Sequence, residues 1–265
     1  IKYAIDWRQH LFEKDYVMIG VIGGTGLRKI DGLNITRESL VDTPYGKPSD
    51  KILVGKLEDR DVAFLARHGE GHTIPPHLIN YRANIYALEN IGVEAILSIA
   101  TVGSIPSEIQ PGSIVLPHQV IDYTYGREHT YFDGIKNPVS HIDFTHPYNP
   151  DLRKLLCKNA SLENINFITE GVYAAVQGPR LETAAEIDKY ERDGATIVGM
   201  TGMPEASLAR EVNLPYAAIC PVANFAAGRV SSKEGITHEE INKQSEIMSL
   251  NVSKYLKVVI QAYGN

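Results

Sequence analysis

Residues 195–210, which read ATIVGMTGMPEASLAR, join an apolar run to a tight turn and then to a helical pattern. Residues 195–198 are the apolar run, and the glycines and small side chains of residues 199–203 suit a turn. Pro204 stands near the first helical turn, where its missing N–H costs little. Small and polar residues at the carboxyl end of a strand are where α/β proteins place ligands. The stretch therefore predicts a strand–turn–helix unit with a ligand-binding edge.

The same alternation of strand-like and helix-like segments extends along the chain in both directions. Apolar runs predict strands, and segments with a period near 3.6 predict helices. The predicted strands are residues 19–22, 51–57, 62–65, 94–100, 113–116, 171–176, 196–200 and 215–221, and the predicted helices are residues 80–91, 151–160, 182–192, 204–212 and 237–263. This order predicts an α/β fold: a single domain with a mixed, mostly parallel central sheet flanked by helices.

Two segments stand outside this alternation. Residues 122–150 carry nine aromatic or histidine side chains and little periodicity, which predicts a long loop with a functional or interface role. Residues 1–17 are charged and out of register with the rest of the chain, so we expect an N-terminal extension of unknown role, with Met18 a plausible start, and one domain over 18–265.

Composition excludes several classes of protein. The 265 residues carry a net charge of −6, which disfavours a nucleic-acid surface because phosphate backbones bind basic stripes. No apolar stretch approaches the roughly 20 residues of a membrane span, so we expect a cytoplasmic protein without a membrane partner. Cys157 and Cys220 lie far apart and form no metal-ligand pattern, which favours reduced, buried thiols and no metal site.

Four polar clusters follow predicted strands, and each has a structural and a functional interpretation. The glycines of residues 23–26 suit either a tight turn or an anion-binding backbone, although their spacing matches neither Gly-x-Gly-x-x-Gly nor a P-loop. Arg67 and His68 could form surface ion pairs or grip a phosphate. Four such clusters at strand ends are much less expected by chance than one.

The other two clusters could contact an organic ligand. Glu182, within residues 177–183, is either a first-turn carboxylate that favours its helix dipole or an acceptor for N–H groups of a heterocycle. Met200 offers a soft apolar surface and Thr201 a hydroxyl. Asn224 follows a predicted strand, where its amide either caps a turn or donates to and accepts from a ligand at once.

At these residues the chain resembles the purine nucleoside phosphorylase and methylthioadenosine phosphorylase family. The resemblance runs from about residue 18 to the C-terminus, and five ordered motifs carry it: residues 23–27 (GGTGL), 67–69 (RHG), 80–84 (NYRAN), 177–183 (QGPRLET) and 199–205 (GMTGMPE). It implies that 18–265 form a nucleoside phosphorylase domain. It also implies a homotrimer or a dimer of trimers, no metal, no organic cofactor, and reversible cleavage of a nucleoside by inorganic phosphate in purine salvage.

The resemblance also implies roles for single residues. It gives catalytic roles to Asn224, Glu182 and His68, and places Met200 under the ribose. It implies substrate contacts from Glu182, Asn224 and their neighbours, and phosphate contacts from a second set. The remaining substrate-binding residues are Phe225, Ala226 and His238, and the phosphate-binding residues are Thr25, Arg67, His68, Ala100, Thr101 and Thr201. Many relatives have Thr-Ala or Asn-Ala at Ala100-Thr101, so one hydroxyl has moved by a position.

Two features bear on the substrate. Adenine-specific relatives carry a Ser where this chain has Glu182 and Asp residues near Asn224, whereas 6-oxopurine enzymes carry Glu and Asn. Hypoxanthine and guanine have a protonated N1 that a carboxylate accepts, while adenine would leave buried polar groups unpaired. We therefore expect inosine and guanosine as substrates.

His238 resembles a histidine that contacts the 5′-hydroxyl, but residues 125–132 are most similar to methylthioinosine phosphorylases, so methylthioinosine or methylthioadenosine is the alternative.

Two other functions compete with this hypothesis. A nucleoside hydrolase would use water and a carboxylate-bound calcium, and the N-terminal region has no suitable Asp cluster. A non-catalytic nucleotide- or dinucleotide-binding module is disfavoured by the glycine spacing and by the lack of an acidic partner for a ribose. Leaving phosphate out of an assay separates a phosphorylase from a hydrolase. Binding without turnover when phosphate is present would favour the non-catalytic module.

Overall fold

The computed structural model of the chain describes residues 17–25, 27 and 30–263. The predicted extension at residues 1–17 lies outside the described residues except for Val17, which is exposed.

The strands of the described part come in short segments along the whole chain. In chain order they are β1 (Met18–Gly23), β2 (Asn34–Ser39), β3 (Ile52–Leu57), β4 (Arg60–Ala66), β5 (Val93–Ile99), β6 (Val102–Ser104), β7 (Ile114–Val115), β8 (Gln119–Asp122), β9 (Phe167–Ile168), β10 (Val172–Ala175), β11 (Ile197–Gly199) and β12 (Tyr216–Phe225). The helices are α1 (Tyr81–Asn90), α2 (Pro150–Lys158), α3 (Ala184–Arg192), α4 (Glu205–Glu211) and α5 (His238–Ala262), and single 3-10 turns cover Glu70–His72, Pro76–Leu78 and Val230–Ser232.

The starts of α1, α2, α3 and α5 are fixed by side-chain caps that the sequence supplies. Asn80 and Asn149 accept the N–H of Ala83 and Leu152 at the starts of α1 and α2. Thr183 and Thr237 form reciprocal capping boxes with the glutamates three residues later, Glu186 and Glu240. Each cap satisfies N–H groups that the first helical turn leaves without an intrahelical partner.

One mixed sheet runs through the molecule in the order β2-β3-β4-β1-β5-β12-β6-β11-β10-β8. β1 lies parallel to both β4 and β5. β12 joins two halves of the sheet: its first residues pair with β5 and its last residues with β6, in parallel. β11 then runs antiparallel to β6, while β10 and β8 run parallel to β11. The predicted mixed, mostly parallel sheet is confirmed.

The core lies on both faces of this sheet, because successive strand residues point to opposite sides. Met18 and Ile22 of β1 pack with α1 and α4 on one face. Ile19 and Val21 of the same strand pack with α2 and α5 on the other face. A smaller cluster joins α3 to β10 and β11 through Ile187 and Tyr190.

The predicted elements are found with shifts of one or two residues at most ends, but β12 is longer than expected. It continues to Phe225, so Asn224 lies within the end of the strand and not after it. The sequence also missed the short strands β6, β8 and β9, as well as β2, whose six residues NITRES are exposed or half-buried and show no apolar alternation. Residues 123–149 contain no helix or strand, as predicted.

Candidate active site

The carboxyl ends of β1, β4 and β5 meet at one edge of the sheet. Because these strands are parallel and adjacent, the residues that follow them emerge side by side. Thr25 follows β1, Arg67 and His68 follow β4, and Ala100 and Thr101 follow β5. The sheet therefore brings together five of the six residues expected to bind phosphate.

Arg67 ties this edge together from inside the protein. Its side chain is fully buried, and its Nε and Nη2 donate to both carboxylate oxygens of Glu205 at 2.7 and 2.8 Å. Nη1 donates to the carbonyl of Ile99 at 2.8 Å, and Nη2 also donates to the hydroxyl of Ser98 at 2.7 Å. Most N–H groups of the guanidinium thus donate to the protein itself. The sequence predicted surface ion pairs or a phosphate contact for Arg67, and not this buried network.

Gly24 permits the close approach of this arginine to the end of β1. A Cβ at this position would lie 2.8 Å from both Arg67 Nη1 and the carbonyl oxygen of Ile99. Any other residue would push the turn after β1 away from Arg67 and β5. A cavity of about 210 Å³ opens beside Gly24, with His68 and Lys51 in its lining.

His68 is a neutral acceptor at this edge. Burial, with a further contribution from the positive charge of Arg67, lowers the pKa of His68 to about 4. Nδ1 lies 2.9 Å from the carbonyl oxygen of Ile74, which can only accept, so Nδ1 carries the proton. Nε2 is then the acceptor, a nitrogen that can receive a hydrogen bond from a protonated phosphate or a sugar hydroxyl.

Thr101 and Thr201 differ in the contacts of their polar groups. The hydroxyl of Thr101 is buried without a hydrogen-bond partner among the described residues, an arrangement that native proteins rarely tolerate without a ligand or water. Thr201 is 7% exposed, and its backbone N–H points to the hydroxyl of Tyr173 at 3.4 Å. Thr25 is half-buried and Ala100 is buried, with its N–H bonded to Ile219.

The register of the other half of the sheet brings Met200 and Asn224 to the same region. β6 begins directly after Thr101, and Gly103 pairs with both Asn224 of β12 and Val198 of β11. A Cβ at Gly103 would lie 3.5 Å from the side-chain nitrogen of Asn224. Because β11 runs antiparallel to β6, its carboxyl end delivers Met200 beside Thr101.

Met200 is held in place by the turn after β10. Gly178 has a left-handed backbone with φ of +62°, and a Cβ there would lie 2.5 Å from the Met200 sulfur. The sulfur therefore packs directly on the glycine backbone. Asn224 donates one side-chain N–H to the carbonyl of Phe225 at 2.7 Å, which fixes the plane of its amide.

Glu182 stands just before the cap of α3. Its carboxyl is half-buried, and this burial raises its pKa above the ordinary value despite the nearby Arg180. Arg180 instead pairs with Glu186 at 2.7 and 2.8 Å. The carboxyl of Glu182 is therefore partly desolvated, and among the described contacts it has no salt bridge.

The remaining predicted residues have different positions. Phe225 and Ala226 are buried, and the N–H of Ala226 donates to Ser104, so both support the end of β12. His238 is the first residue of α5, but its side chain lies outside what the structure describes. Tyr131, in the loop predicted to have a functional or interface role, is buried within its own chain, where its hydroxyl donates to the carbonyl of Arg82.

Sequence reasoning missed the groups that hold the site together. Glu205 accepts from Arg67, from Ser98 at 2.7 Å and from Tyr216 at 2.9 Å. It belongs to the motif at residues 199–205, so its position was visible while its partners were not. Arg127, in the long loop, donates to Met200 and Gln177, and no periodicity in the sequence signals it.

Two surveys of the described residues concern other classes of protein. No group of three or more His, Cys, Asp or Glu side chains is arranged there to hold a metal ion. Nor does any helix in that part of the chain combine the length and apolar character needed to cross a membrane.

Comparison with known proteins shows the family of the chain. Residues 18–261 match the Phosphorylase superfamily. The chain is 51% identical over 223 residues, 84% of its length and 90% of the relative's, to a protein of Pseudomonas syringae named "Probable S-methyl-5′-thioinosine phosphorylase". It is 45% identical over 249 residues, 92% of its length and 91% of the relative's, to the 6-oxopurine nucleoside phosphorylase of Pyrococcus furiosus.

A solved structure shares the whole architecture. Methylthioadenosine phosphorylase from Schistosoma mansoni, in complex with adenine, superposes with a TM-score of 0.87 at 31% identity, over 94% of this chain and 92% of that one. The sheet edge, the five motifs and these relatives converge: the chain belongs to the Phosphorylase superfamily and is a pentosyltransferase of the purine nucleoside phosphorylase type.

Proposed function

We propose that the chain catalyses the reversible phosphorolysis of 6-oxopurine nucleosides, inosine and guanosine, to the free base and ribose 1-phosphate, in purine salvage. The observation that carries this proposal is the partly desolvated carboxyl of Glu182, and the amide of Asn224, fixed at the end of β12, supports it. A carboxylate accepts the N1–H that hypoxanthine and guanine carry and adenine lacks. Relatives of this chain named 6-oxopurine nucleoside phosphorylase support the same base class.

Phosphate would bind at the edge formed by β1, β4 and β5. We propose contacts from Thr25, His68 and Thr201, from the turn at Ala100 and Thr101, and from Arg67. The unpaired hydroxyl of Thr101 supports a side-chain contact at this position. Because Arg67 is already paired with Glu205, we expect it to act mainly by fixing the edge, with a single remaining N–H of Nη1 available to an oxyanion.

In the proposed reaction, a phosphate oxygen bonds to C1′ of the ribose while the bond from C1′ to N9 breaks. The electron pair leaves with the purine, and the ribose gains oxocarbenium character over the Met200 surface. As negative charge builds on the purine, Asn224 donates to O6 while Glu182 holds N1–H. N7 takes up a proton from solvent water, and Asn224 accepts from the resulting N7–H. No covalent enzyme intermediate is needed, so catalysis comes from positioning and electrostatic stabilisation.

His68 serves this reaction as an acceptor and not as an acid. Its lowered pKa keeps the ring neutral at physiological pH. Nε2 can therefore accept a hydrogen bond from a protonated phosphate oxygen and so orient the nucleophile. Phosphate itself supplies the attacking oxygen, and a strong base is not required.

The test is Asn224→Asp. A carboxylate at this position cannot donate to O6 and repels the negative charge that builds on hypoxanthine, whereas it can accept from the amino group of adenine. We expect phosphate-dependent cleavage of inosine to fall at least 100-fold and cleavage of adenosine to appear or rise. The matched control is Asn149→Asp, which keeps the cap of α2 because Asp caps as well as Asn. Unchanged inosine turnover in Asn224→Asp would remove Asn224 from the mechanism.

A second candidate differs only in the 5′ group of the substrate. Relatives named for S-methyl-5′-thioinosine are 47–51% identical to this chain, somewhat above the 45–46% of those named for 6-oxopurine nucleosides. A panel of inosine, guanosine, adenosine, methylthioinosine and methylthioadenosine, each with and without phosphate, separates the candidates. His238→Val should favour the methylthio substrates if this histidine meets the 5′-hydroxyl.

We further propose a homotrimer in the cytoplasm that needs no metal or organic cofactor. These properties rest on the family resemblance. Light scattering would test the assembly against the 29.3 kDa mass of one chain, and activity after exhaustive chelation would test the metal.

A further inference from the structure

We propose that Arg127 is a positioning residue that locks the turn bearing Met200 against the segment that leads to Glu182. This inference rests on the proposed function, because it concerns the alignment of ribose and base in that reaction. The hydrogen bonds, the charge and the burial of Arg127 all support it.

Arg127 bridges two turns that come from different strands. Its Nη1 donates to the carbonyls of Met200 at 2.9 Å and Met203 at 2.6 Å, in the turn after β11. Its Nη2 donates to the carbonyls of Gln177 at 2.8 Å and Val176 at 3.2 Å, in the turn after β10. One planar guanidinium therefore sets the distance between the proposed ribose surface and the start of the base-reading segment.

Two further contacts fix the guanidinium itself. Nε donates to the side-chain oxygen of Gln177 at 3.2 Å, and Nη1 lies 3.1 Å from the hydroxyl of Tyr81. Tyr81 in turn donates to the carbonyl of Pro76. The five N–H groups of the arginine are thus all directed at acceptors, in a geometry that the three tetrahedral donors of a lysine cannot reproduce.

The charge of Arg127 makes a purely structural role a costly one. The residue is 7% exposed, yet every acceptor described for it is neutral. Arg67, which is also buried, is neutralised by Glu205. Burying a charge that no carboxylate compensates is expensive unless its hydrogen bonds are satisfied. Arg127 meets that condition mainly through carbonyls of the two turns at the site.

The consequence is a separation of roles within the site. Arg127 contacts the turns proposed to meet the nucleoside. Five of the six residues proposed for phosphate follow β1, β4 and β5 instead, and Thr201 alone lies in a turn that Arg127 holds. Loss of Arg127 should therefore disturb nucleoside alignment much more than phosphate binding, because small misplacements of a reacting group cost large factors in rate.

The experiment compares Arg127→Lys and Arg127→Met with Arg153→Lys and Arg153→Met. Arg153 is the matched control, because it also donates to backbone carbonyls, those of Leu116, Pro117 and Thr169. These carbonyls precede β8 and follow β9, and none belongs to a turn at the site. Steady-state kinetics with inosine, methylthioinosine and phosphate are measured on the full chain, together with Tm.

We expect both Arg127 variants to lose at least 100-fold in kcat/KM for the nucleoside, with KM for phosphate changed less than threefold. Arg153 variants with equal or larger losses in Tm should keep nucleoside kcat/KM within threefold. Arg127→Lys retains the charge and most of the volume, so it keeps the test readable if Arg127→Met does not fold.

Two outcomes overturn the inference. In one, a folded Arg127 variant retains nucleoside kcat/KM within threefold. In the other, KM for phosphate changes as much as KM for nucleoside, which indicates general damage. Absence of turnover by the unmodified chain on all the nucleosides would instead refute the proposed function, and with it this inference.

Discussion

Single residues at the sheet edge contribute to stability, and Glu205 is the clearest case. This carboxylate is fully buried and compensates the charge of Arg67. Glu205→Gln leaves a buried guanidinium without a counter-charge, and we expect the free energy of unfolding to fall by about 3–5 kcal/mol. Urea unfolding measures this change.

The control for this prediction is an ion pair on the surface. Glu38 contacts Lys51 at 2.8 Å, but both side chains are exposed, so Glu38→Gln should cost less than about 1 kcal/mol. Equal losses in the two variants would contradict the importance of the buried pair.

His68 makes stability depend on pH in a defined range. The unfolded ring takes up a proton near pH 6.5, whereas in the folded chain the pKa of His68 is about 4. Between these values the unfolded state holds more protons, so the free energy of unfolding falls as pH is lowered from 6.5 to 4. The contribution of this residue is on the order of 3 kcal/mol.

The measurement is urea unfolding between about pH 7 and pH 4.5, a window that spans most of this titration. The unmodified chain is compared with His68→Asn, whose amide can still donate to Ile74. The variant should lose the part of the pH dependence that belongs to this ring. Identical slopes for the two proteins would show that the ring does not stay neutral.

Elements position the site through their ends, and the cap of α3 illustrates this. Thr183 accepts the N–H of Glu186 and follows directly after Glu182. Thr183→Ala should cost about 1 kcal/mol of stability and, because the chain before the cap loosens, raise KM for the nucleoside. Asn149→Ala, which removes the cap of α2, should cost as much stability with no change in KM. Kinetics and Tm on both variants check this, and equal KM values in Thr183→Ala and the unmodified chain would contradict it.

The turn after β10 gives a second prediction at the scale of elements. Gly178 and Gly92 both have left-handed backbones, with φ of +62° and +90°, but only Gly178 has a neighbour where a Cβ would stand. Ala at either position costs roughly 1–2 kcal/mol for the backbone. Gly178→Ala must also displace Met200, so we expect a KM for nucleoside at least tenfold higher. Gly92→Ala should leave KM unchanged, and a shared rise in KM would argue against Met200 as the ribose surface.

How far the sequence predicts this molecule also depends on the element. The hairpin of β3 and β4 and helices α1 to α5 follow from apolar periodicity and caps, and they were predicted nearly to their ends. β2 has no such pattern, because pairing with β3 at the sheet's edge holds it and burial does not. The strand-end clusters were visible in the sequence, whereas the Arg67–Glu205 pair spans 138 residues and depends on the fold.

At the scale of the whole molecule, β12 connects both halves of the sheet, and Cys220 lies in it fully buried. Burial raises the pKa of this thiol, and that of the half-buried Cys157 to a smaller extent. A thiol reagent should therefore modify no more than Cys157 in the native protein. Cys220 should react only at the rate of global unfolding, because exposing it requires the central strand to separate.

The measurement is the time course of thiol modification with increasing urea, repeated on Cys157→Ser to isolate Cys220. The free energy obtained from Cys220 should equal that from circular dichroism. Fast labelling of Cys220 in native buffer would mean that β12 opens locally.

The course of β12 also bears on whether purine preference and phosphate binding can change independently. Its first half is built into the interior beside β5, and its last residues alone reach Gly103 and the region beside Met200. Under the proposed function, exchange of the side chains at this tip changes which purine is preferred. Thr25 and His68, proposed to bind phosphate, follow β1 and β4, so such an exchange leaves them in place.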